Sequence, residues 1–256
     1  MNTVSYPVFR WAIGGVLLSL GFMSAVVVWH LAFRPPSVDL MPLPANLVSL
    51  DQAPGRTLLR ESRFTADHAD LAAAFEPQMR RAYCGVASAV VVLNAMRKAN
   101  PRLTQSNFFT DAATEVRSAL RVTFAGMTLA ELAGLLRAHG AEVTLYHADE
   151  VPIDTFRAMA RSNLETPGDF VIVNYQRATL GQGEMGHISP LAAYNQHTDR
   201  FLVLDVASHK FPRTWVKTEE LWHAMNTFDA ASGRTRGFVV VREADAGQHS
   251  PSRTQP

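Results

Sequence analysis

The chain has almost no cysteine. Cys84 is the one thiol in 256 residues, which excludes an intramolecular disulfide framework and any zinc site built on cysteines. It also has no charge excess. Lys and Arg number 24 against 23 Asp and Glu, a formal net charge of +1, so there is no broad basic footprint and no case for a dedicated nucleic-acid binder. Internal repeats are absent. Histidines such as His139, His147 and His209 show no ligand spacing, so no metal site is read from the chain. What remains is a globular composition, 47% hydrophobic and 18% charged. In it, the lone cysteine is either a buried small hydrophobe or a reactive thiol.

Part of the apolar content sits in one block. Trp11 to Phe33 is 23 residues without Lys, Arg, Asp or Glu, flanked by Arg10 and Arg34 and with Trp11 and Trp29 near its ends. That length suffices to span a hydrocarbon core of about 30 Å. A cleaved signal peptide would have a shorter apolar region and a small-residue cleavage site, and this run ends in Trp-His-Leu-Ala-Phe-Arg-Pro-Pro. The expectation is a single uncleaved anchor over 11–33. Arg10 and Arg34 nearly cancel in the positive-inside count, so the residues alone leave its orientation open. After an N-terminal segment 1–10 and the anchor, a proline-rich linker is read over 34–53, one domain over 54–243 and a polar, disordered tail over 244–256.

Within the domain, helices are expected over Cys84–Ala99 and near Ser106–Arg117, Thr128–His139, Ile153–Arg161 and Thr218–Met225. Asp169–Tyr175, His187–Tyr194, Arg200–Val206 and Arg236–Val241 read as strands, with a turn at 195–199 between the middle two. Consecutive strands on short turns make an antiparallel sheet, hence an α+β class. Gly181-Gln-Gly-Glu-Met-Gly186 is formally G-x-G-x-x-G, but a strand rather than a helix follows it. A dinucleotide site is therefore rejected, and the glycines are read as a loop beside something approached closely.

Three positions carry chemistry. Cys84 opens a buried helix, where free N–H groups and the helix dipole favour a thiolate. If the hairpin turns around His197, Asp205 lies opposite Ser189 with His187 as its diagonal neighbour on the same face. A carboxylate at that distance can orient an imidazole. Cysteine, histidine and aspartate then form a nucleophile, base and orienter set, against the plainer reading of an inert buried cysteine. Gln78 offers an oxyanion donor. Arg177, Asn174 and Arg236 are candidates for binding substrate carboxylates, with surface salt bridges as the competing reading for the arginines.

At these residues the chain resembles the phytochelatin synthase family. Gln78-Met-Arg-Arg-Ala-Tyr-Cys84-Gly-Val-Ala-Ser resembles its nucleophile helix, and Gly186-His187-Ile-Ser-Pro190 its histidine segment. Leu204-Asp205-Val-Ala207 with Lys210-Phe-Pro212 is similar to its aspartate segment, and Leu221-Trp222 through Phe238 to its closing segment. The resemblance covers about Ala53 to Arg242. It implies a papain-like fold, with catalytic Cys, His and Asp at Cys84, His187 and Asp205 and the oxyanion glutamine at Gln78.

It also implies cleavage of the Cys–Gly bond of glutathione through a γ-glutamylcysteinyl thioester. Water would mainly resolve it, and a second glutathione to a lesser extent. Plant members carry a Cys-rich C-terminal domain that has no counterpart in this sequence, which looks like the short bacterial type. On that basis no cofactor is required, and cadmium or zinc glutathione thiolates are possible substrate forms. The protein would be anchored in a bacterial inner membrane with a periplasmic domain; its oligomeric state is not legible. A papain-like peptidase acting on longer peptides and a non-catalytic, membrane-tethered metal-binding module are the competing readings, the second disfavoured by the thiol count.

Overall fold

The structure, a computed structural model, describes residues 21–30, 32–98 and 102–244. Residues 11–20 and 31 of the expected anchor therefore lie outside the described residues, as do segment 1–10 and all but the first residue of the expected tail. Residues 21–30 are helical and exposed, and no helix among the described residues is long and apolar enough to cross a membrane.

The helix Cys84–Arg97 is the centre of the domain. Eleven of its residues are buried, so it is apolar all round rather than along one stripe. Lys98 ends it in the left-handed conformation at φ 49°. The helix expected near Ser106–Arg117 forms over Asp111–Val116 only, and a further one, Ala119–Ala125, follows it. The side chains of Thr110 and Ser118 accept backbone N–H bonds at the two starts. Leu129–Ala138 starts at a full capping box of Thr128 and Glu131.

The strands, in chain order, are β1 (Val48–Ser49), β2 (Ala141–His147), β3 (Asp169–Gln176), β4 (Gly186–Asn195), β5 (Arg200–Val203), β6 (Thr214–Lys217), β7 (Phe228–Asp229), β8 (Arg234–Thr235) and β9 (Gly237–Glu243). Seven form one sheet in the order β1-β6-β5-β4-β3-β9-β2, and every pairing in it is antiparallel. The α+β class follows. Both faces of the sheet are covered. Phe170 and Ile172 of β3 join the core around the Cys84 helix, while Val171, Val173 and Tyr175 join a second core with Phe156, Phe201 and Phe238. Double burial explains the unbroken apolar runs of β3 and β9.

Three differences from the sequence reading concern boundaries. Arg200–Val206 was expected as one strand, but β5 stops at Val203, and the chain then turns to carry Asp205. β2 and β6 were not foreseen, nor were the helices Ala53–Glu61 and His68–Ala74. The stretch read as a linker, 34–53, is docked from Asp39 onward. Asp39 and Met41 donate backbone bonds to the carbonyls of His209 and Lys210, β1 pairs with β6, and Leu47 and Leu50 are buried. Proline content signals a non-helical path, which a docked strap satisfies as well as a free linker does.

Candidate active site

Four pieces of backbone converge at one end of the sheet: the start of the Cys84 helix, the start of β4, the turn after β5 and the entry to β9. A cavity of about 420 Å³ opens there, and its lining includes Gln78, Cys84, Asn174, Arg177, His187 and Arg236. Helix and sheet are locked together by Ser88, whose hydroxyl donates to the Ile188 carbonyl at 3.0 Å.

Cys84 is the first helical residue and is partly exposed on the cavity wall. Burial pushes its thiol above the ordinary value, while the backbone N–H groups of Ile188 and Gly85 and the charge of Arg177 pull it down. Ile188 adjoins His187, and Cys84, His187 and Ile188 line the same cavity.

His187 Nε2 lies 2.9 Å from Asp205 Oδ1, though off the ideal axis of an N–H···O bond. Such contacts commonly tighten when substrate binds. Tyr175, its register partner on β3, meets the imidazole edge-on with ring centroids 5.7 Å apart. The expected placement of Asp205 opposite Ser189 agrees with the observed ladder. Leu191 pairs with Val203, Leu204 donates to the Pro190 carbonyl, and Val206 N–H reaches Ser189 Oγ. The turn itself is not centred on His197 as expected, since Asn195 pairs with Arg200, and a β-bulge between Leu191 and Ala193 shifts the ladder into the register of Leu191 with Val203.

Asp205 is 1% exposed and accepts the Ala207 N–H at 2.8 Å. Burial would raise its carboxyl, but Arg177 and His187 overcome that and hold it well below the usual carboxylate range. The His187 imidazole is pushed down to about 4, by burial first and by the Arg177 charge second, against the opposing pull of Asp205. The resting site is thus a neutral thiol beside a neutral imidazole, with an ionised aspartate behind.

Two sequence expectations change here. Arg177, expected to take a substrate carboxylate, is 4% exposed, and its guanidinium donates to both Asp205 oxygens and to Gln182 Oε1, each at 2.8 Å. Its side chain is already engaged by the protein's own carboxylate. Gln78, expected as a free oxyanion donor, lines the cavity, but its Nε2 donates to the carbonyls of Arg80 and Arg81 at 2.9 and 2.8 Å. Both amide hydrogens are therefore directed at the turn that leads into Cys84.

Asn174 and Arg236 do line the cavity. Arg236 donates to the Phe228 carbonyl at 2.7 Å, has Nη2 3.7 Å from Asp229 Oδ1, and leaves Nε without a partner. The glycine-rich loop is built around these groups. Gly181 and Gly183 adopt positive φ of 73° and 100°, Gln182 between them holds Arg177, and a Cβ on Gly186 would meet Arg236 Nη2 at 3.1 Å. Asp229, Arg81, His209 and Lys210 were given no site role from sequence, although Arg81, Lys210 and Asp229 fall in the segments that carry the resemblance. Among the described residues, no three His, Cys, Asp or Glu side chains converge to hold a metal ion.

A family model, phytochelatin synthase, matches residues 38–238. The chain is 34% identical over 170 residues to glutathione gamma-glutamylcysteinyltransferase 3 of Lotus japonicus, covering 65% of this chain and 36% of that one. It is 32% identical over 210 residues to glutathione gamma-glutamylcysteinyltransferase 1 of Triticum aestivum, 81% of this chain and 41% of the relative. The glutathione gamma-glutamylcysteinyltransferase of Schizosaccharomyces pombe is 27% identical over 209 residues, 78% and 50% of the two chains. The matched part thus spans half or less of the length of these relatives. A match to the family model over most of the domain, carrying Cys84, His187 and Asp205 within it, means that the chain belongs to the phytochelatin synthase family.

Proposed function

We propose that this chain cleaves the Cys–Gly bond of glutathione and holds the γ-glutamylcysteinyl group as a thioester on Cys84. The observation that carries the reading is the buried row Arg177–Asp205–His187, which shares a cavity of about 420 Å³ with a helix-start thiol. The arrangement, a cysteine at a central helix N-terminus with histidine and aspartate on an antiparallel sheet, supports a papain-like fold and mechanism.

Each step has a named group. The imidazole of His187, neutral at rest, takes the proton of Cys84 as the sulfur attacks the carbonyl carbon of the substrate cysteine. Asp205 fixes the ring through Nε2, leaving Nδ1 for the thiol, and Arg177 keeps that aspartate ionised. The developing oxyanion lies at the helix N-terminus, within reach of the Cys84 N–H and of Gln78 after it exchanges one carbonyl bond. The imidazolium returns its proton to the glycine nitrogen, the C–N bond breaks, and glycine leaves. Water, or the amine of a second glutathione, then attacks the thioester. Water needs no binding site and is far more concentrated than any peptide, which favours hydrolysis to γ-Glu-Cys.

The γ-glutamyl end of glutathione is an α-amino acid, carrying one ammonium and one carboxylate. Arg236 with Asp229 supplies both countercharges on one side of the cavity. The substrate thiol is not a reacting atom, so a cadmium or zinc glutathione thiolate is chemically compatible as the donor. The test is a time course at millimolar glutathione, with chromatography of γ-Glu-Cys, glycine and (γ-Glu-Cys)₂-Gly and mass spectrometry for the acyl-enzyme. Cleavage confined to γ-glutamyl peptides, lost in Cys84→Ala, is expected; cleavage of long unmodified peptides instead would overturn the reading.

A further inference from the structure

The cavity has two charged sides, and the sheet order separates them. Reading across neighbouring strands, the turn after β5 comes first, then His187 on β4, Asn174 on β3 and Arg236 at the entry to β9. Arg236 and Asp229 therefore lie on one side of His187, and the turn Ala207–Lys210 on the other. That second side carries Arg81, His209 and Lys210, all lining the cavity.

Nothing in the steps above uses these three. Arg81 is exposed, and neither it nor Lys210 has an acidic partner among the described residues; Lys210 Nζ meets only Met185 Sδ at 3.9 Å. His209 is 8% exposed, and its ring Nδ1 is buried without a partner. Burial first, then the charges of Lys210, Arg177 and Arg81, hold that imidazole below its ordinary value against the pull of Asp205. The backbone beneath is fixed. Lys210 N–H closes the turn on the Ala207 carbonyl, and Asp39 and Met41 of the strap donate to the carbonyls of His209 and Lys210 at 2.8 and 2.9 Å. Two cations, Arg81 and Lys210, without acidic partners among the described residues, and a neutral ring with an unpartnered nitrogen, on a rigid support, make a prepared anion site.

We propose that Arg81, His209 and Lys210 form a carboxylate subsite used twice in one turnover, first by the leaving glycine and then by the entering acceptor. This rests on the reading of glutathione as donor. If the γ-glutamyl end occupies the Arg236 side, the glycine of the scissile bond points toward Arg81 and Lys210. Its carboxylate is two bonds from the nitrogen that leaves. In a second glutathione the attacking nitrogen belongs to the γ-glutamyl residue, and its α-carboxylate is likewise two bonds away. The entering nitrogen takes the position the leaving one vacated, on the same face of the thioester, so one anion site orients both. Water has no carboxylate and gains nothing from it.

The atoms balance without a further reactant. In acylation the S–C bond forms, the C–N bond breaks, and glycine carries away the proton that began on Cys84. In transfer the acceptor amine forms a new C–N bond, the S–C bond breaks, and the amine's proton passes through His187 to the sulfur.

The experiment compares glutathione with its glycine C-terminal amide on wild type, Arg81→Gln, Lys210→Gln and the double variant. It reads kcat and KM for release of the C-terminal group, and the share of (γ-Glu-Cys)₂-Gly among products. Wild type is expected to prefer the free acid by about tenfold or more in kcat/KM. In the double variant that ratio should collapse toward one, through KM, and the transfer product should decline relative to γ-Glu-Cys. If the double variant does not fold, Arg81→Gln alone carries the comparison, because Arg81 is exposed. An unchanged acid-to-amide ratio, or equal losses on both substrates, overturns the subsite while leaving the donor reading standing. Failure of wild type to cleave either peptide overturns both.

Discussion

Arg177 Nη2 lies 2.8 Å from each carboxylate oxygen of Asp205, and the pair is sealed from solvent at 4% and 1% exposure. The residue that orients His187 is therefore itself oriented. A buried carboxylate without this partner would protonate or rotate, and the imidazole would lose both its fixed tautomer and its aim at Cys84. Arg177 also sets the charge state of the site, since it depresses the imidazole while keeping the aspartate ionised.

Removing one partner of that pair should be costly. Arg177→Gln leaves Asp205 buried with a weaker donor, and a loss of about 3–5 kcal/mol is expected from the uncompensated charge. The same change should raise the proton affinity of His187, because the second cause of its depression is gone. Chemical denaturation at pH 7.5 reads the first effect and nuclear magnetic resonance titration of the His187 ring the second. A stability change under about 1 kcal/mol would show that the pair contributes little.

His187 should also make the protein acid-sensitive. An imidazole in the unfolded chain binds a proton near pH 6.5, whereas the buried ring does so only at about 4. Between those values the unfolded state holds a proton that the native state lacks, so stability falls as pH drops from about 6.5 toward 4 and is flat above. About 2–3 kcal/mol is at stake over that window. His187→Gln, which does not titrate there, should flatten this part of the profile. Parallel acid slopes in wild type and variant would assign the sensitivity elsewhere.

Much of this site could be read from the chain, and the limits were physical. The Cys84 helix was legible because fourteen consecutive residues with an apolar body, closed by a stop, have few alternatives. His187 and Asp205 were legible because a hairpin converts sequence spacing into register. Arg177 was misassigned because its partner is 28 residues away and on no shared ladder, so only the folded chain shows that its fork is occupied. β6 was missed because four residues carry too little pattern. Asp229, Arg81 and Lys210 are ordinary charged residues in sequence, and only the convergence of separate loops gives them a common cavity.

A second titration should act in the opposite direction. Asp67 is 1% exposed; Oδ1 accepts the Gly168 N–H at 3.1 Å, and Oδ2 has no partner. Burial, with Asp169 and Asp70 nearby, raises its carboxyl to about 7, against the single backbone bond. Its folded-state proton affinity exceeds that of the unfolded chain, so the stabilisation is complete below about pH 4 and is lost as pH rises through 7. Asp67→Asn keeps the acceptor for Gly168 and removes the ionisation. It should stabilise the protein by about 4 kcal/mol at pH 8 and change little at pH 4. A variant no more stable than wild type at pH 8 would refute the raised carboxyl.

Gln78 provides the sharpest test of the catalytic reading, because its amide has two possible tasks. In the resting geometry both hydrogens bond the carbonyls of Arg80 and Arg81, and Oε1 is buried without a partner. That braces the turn into Cys84. Stabilising an oxyanion requires one of those hydrogens to change acceptor, which the charge developing on the tetrahedral intermediate favours, since an anionic acceptor is about twice as strong as a neutral carbonyl. The two tasks separate in kinetics. Loss of an oxyanion donor lowers kcat about 10²–10³-fold with little change in KM, whereas loss of a brace lowers stability and disturbs binding as well. Gln78→Ala is expected to show the kcat loss, together with about 1 kcal/mol of destabilisation from the two missing bonds. Should kcat fall less than tenfold, the oxyanion is held by backbone N–H groups at the helix start, and Gln78 serves the fold alone.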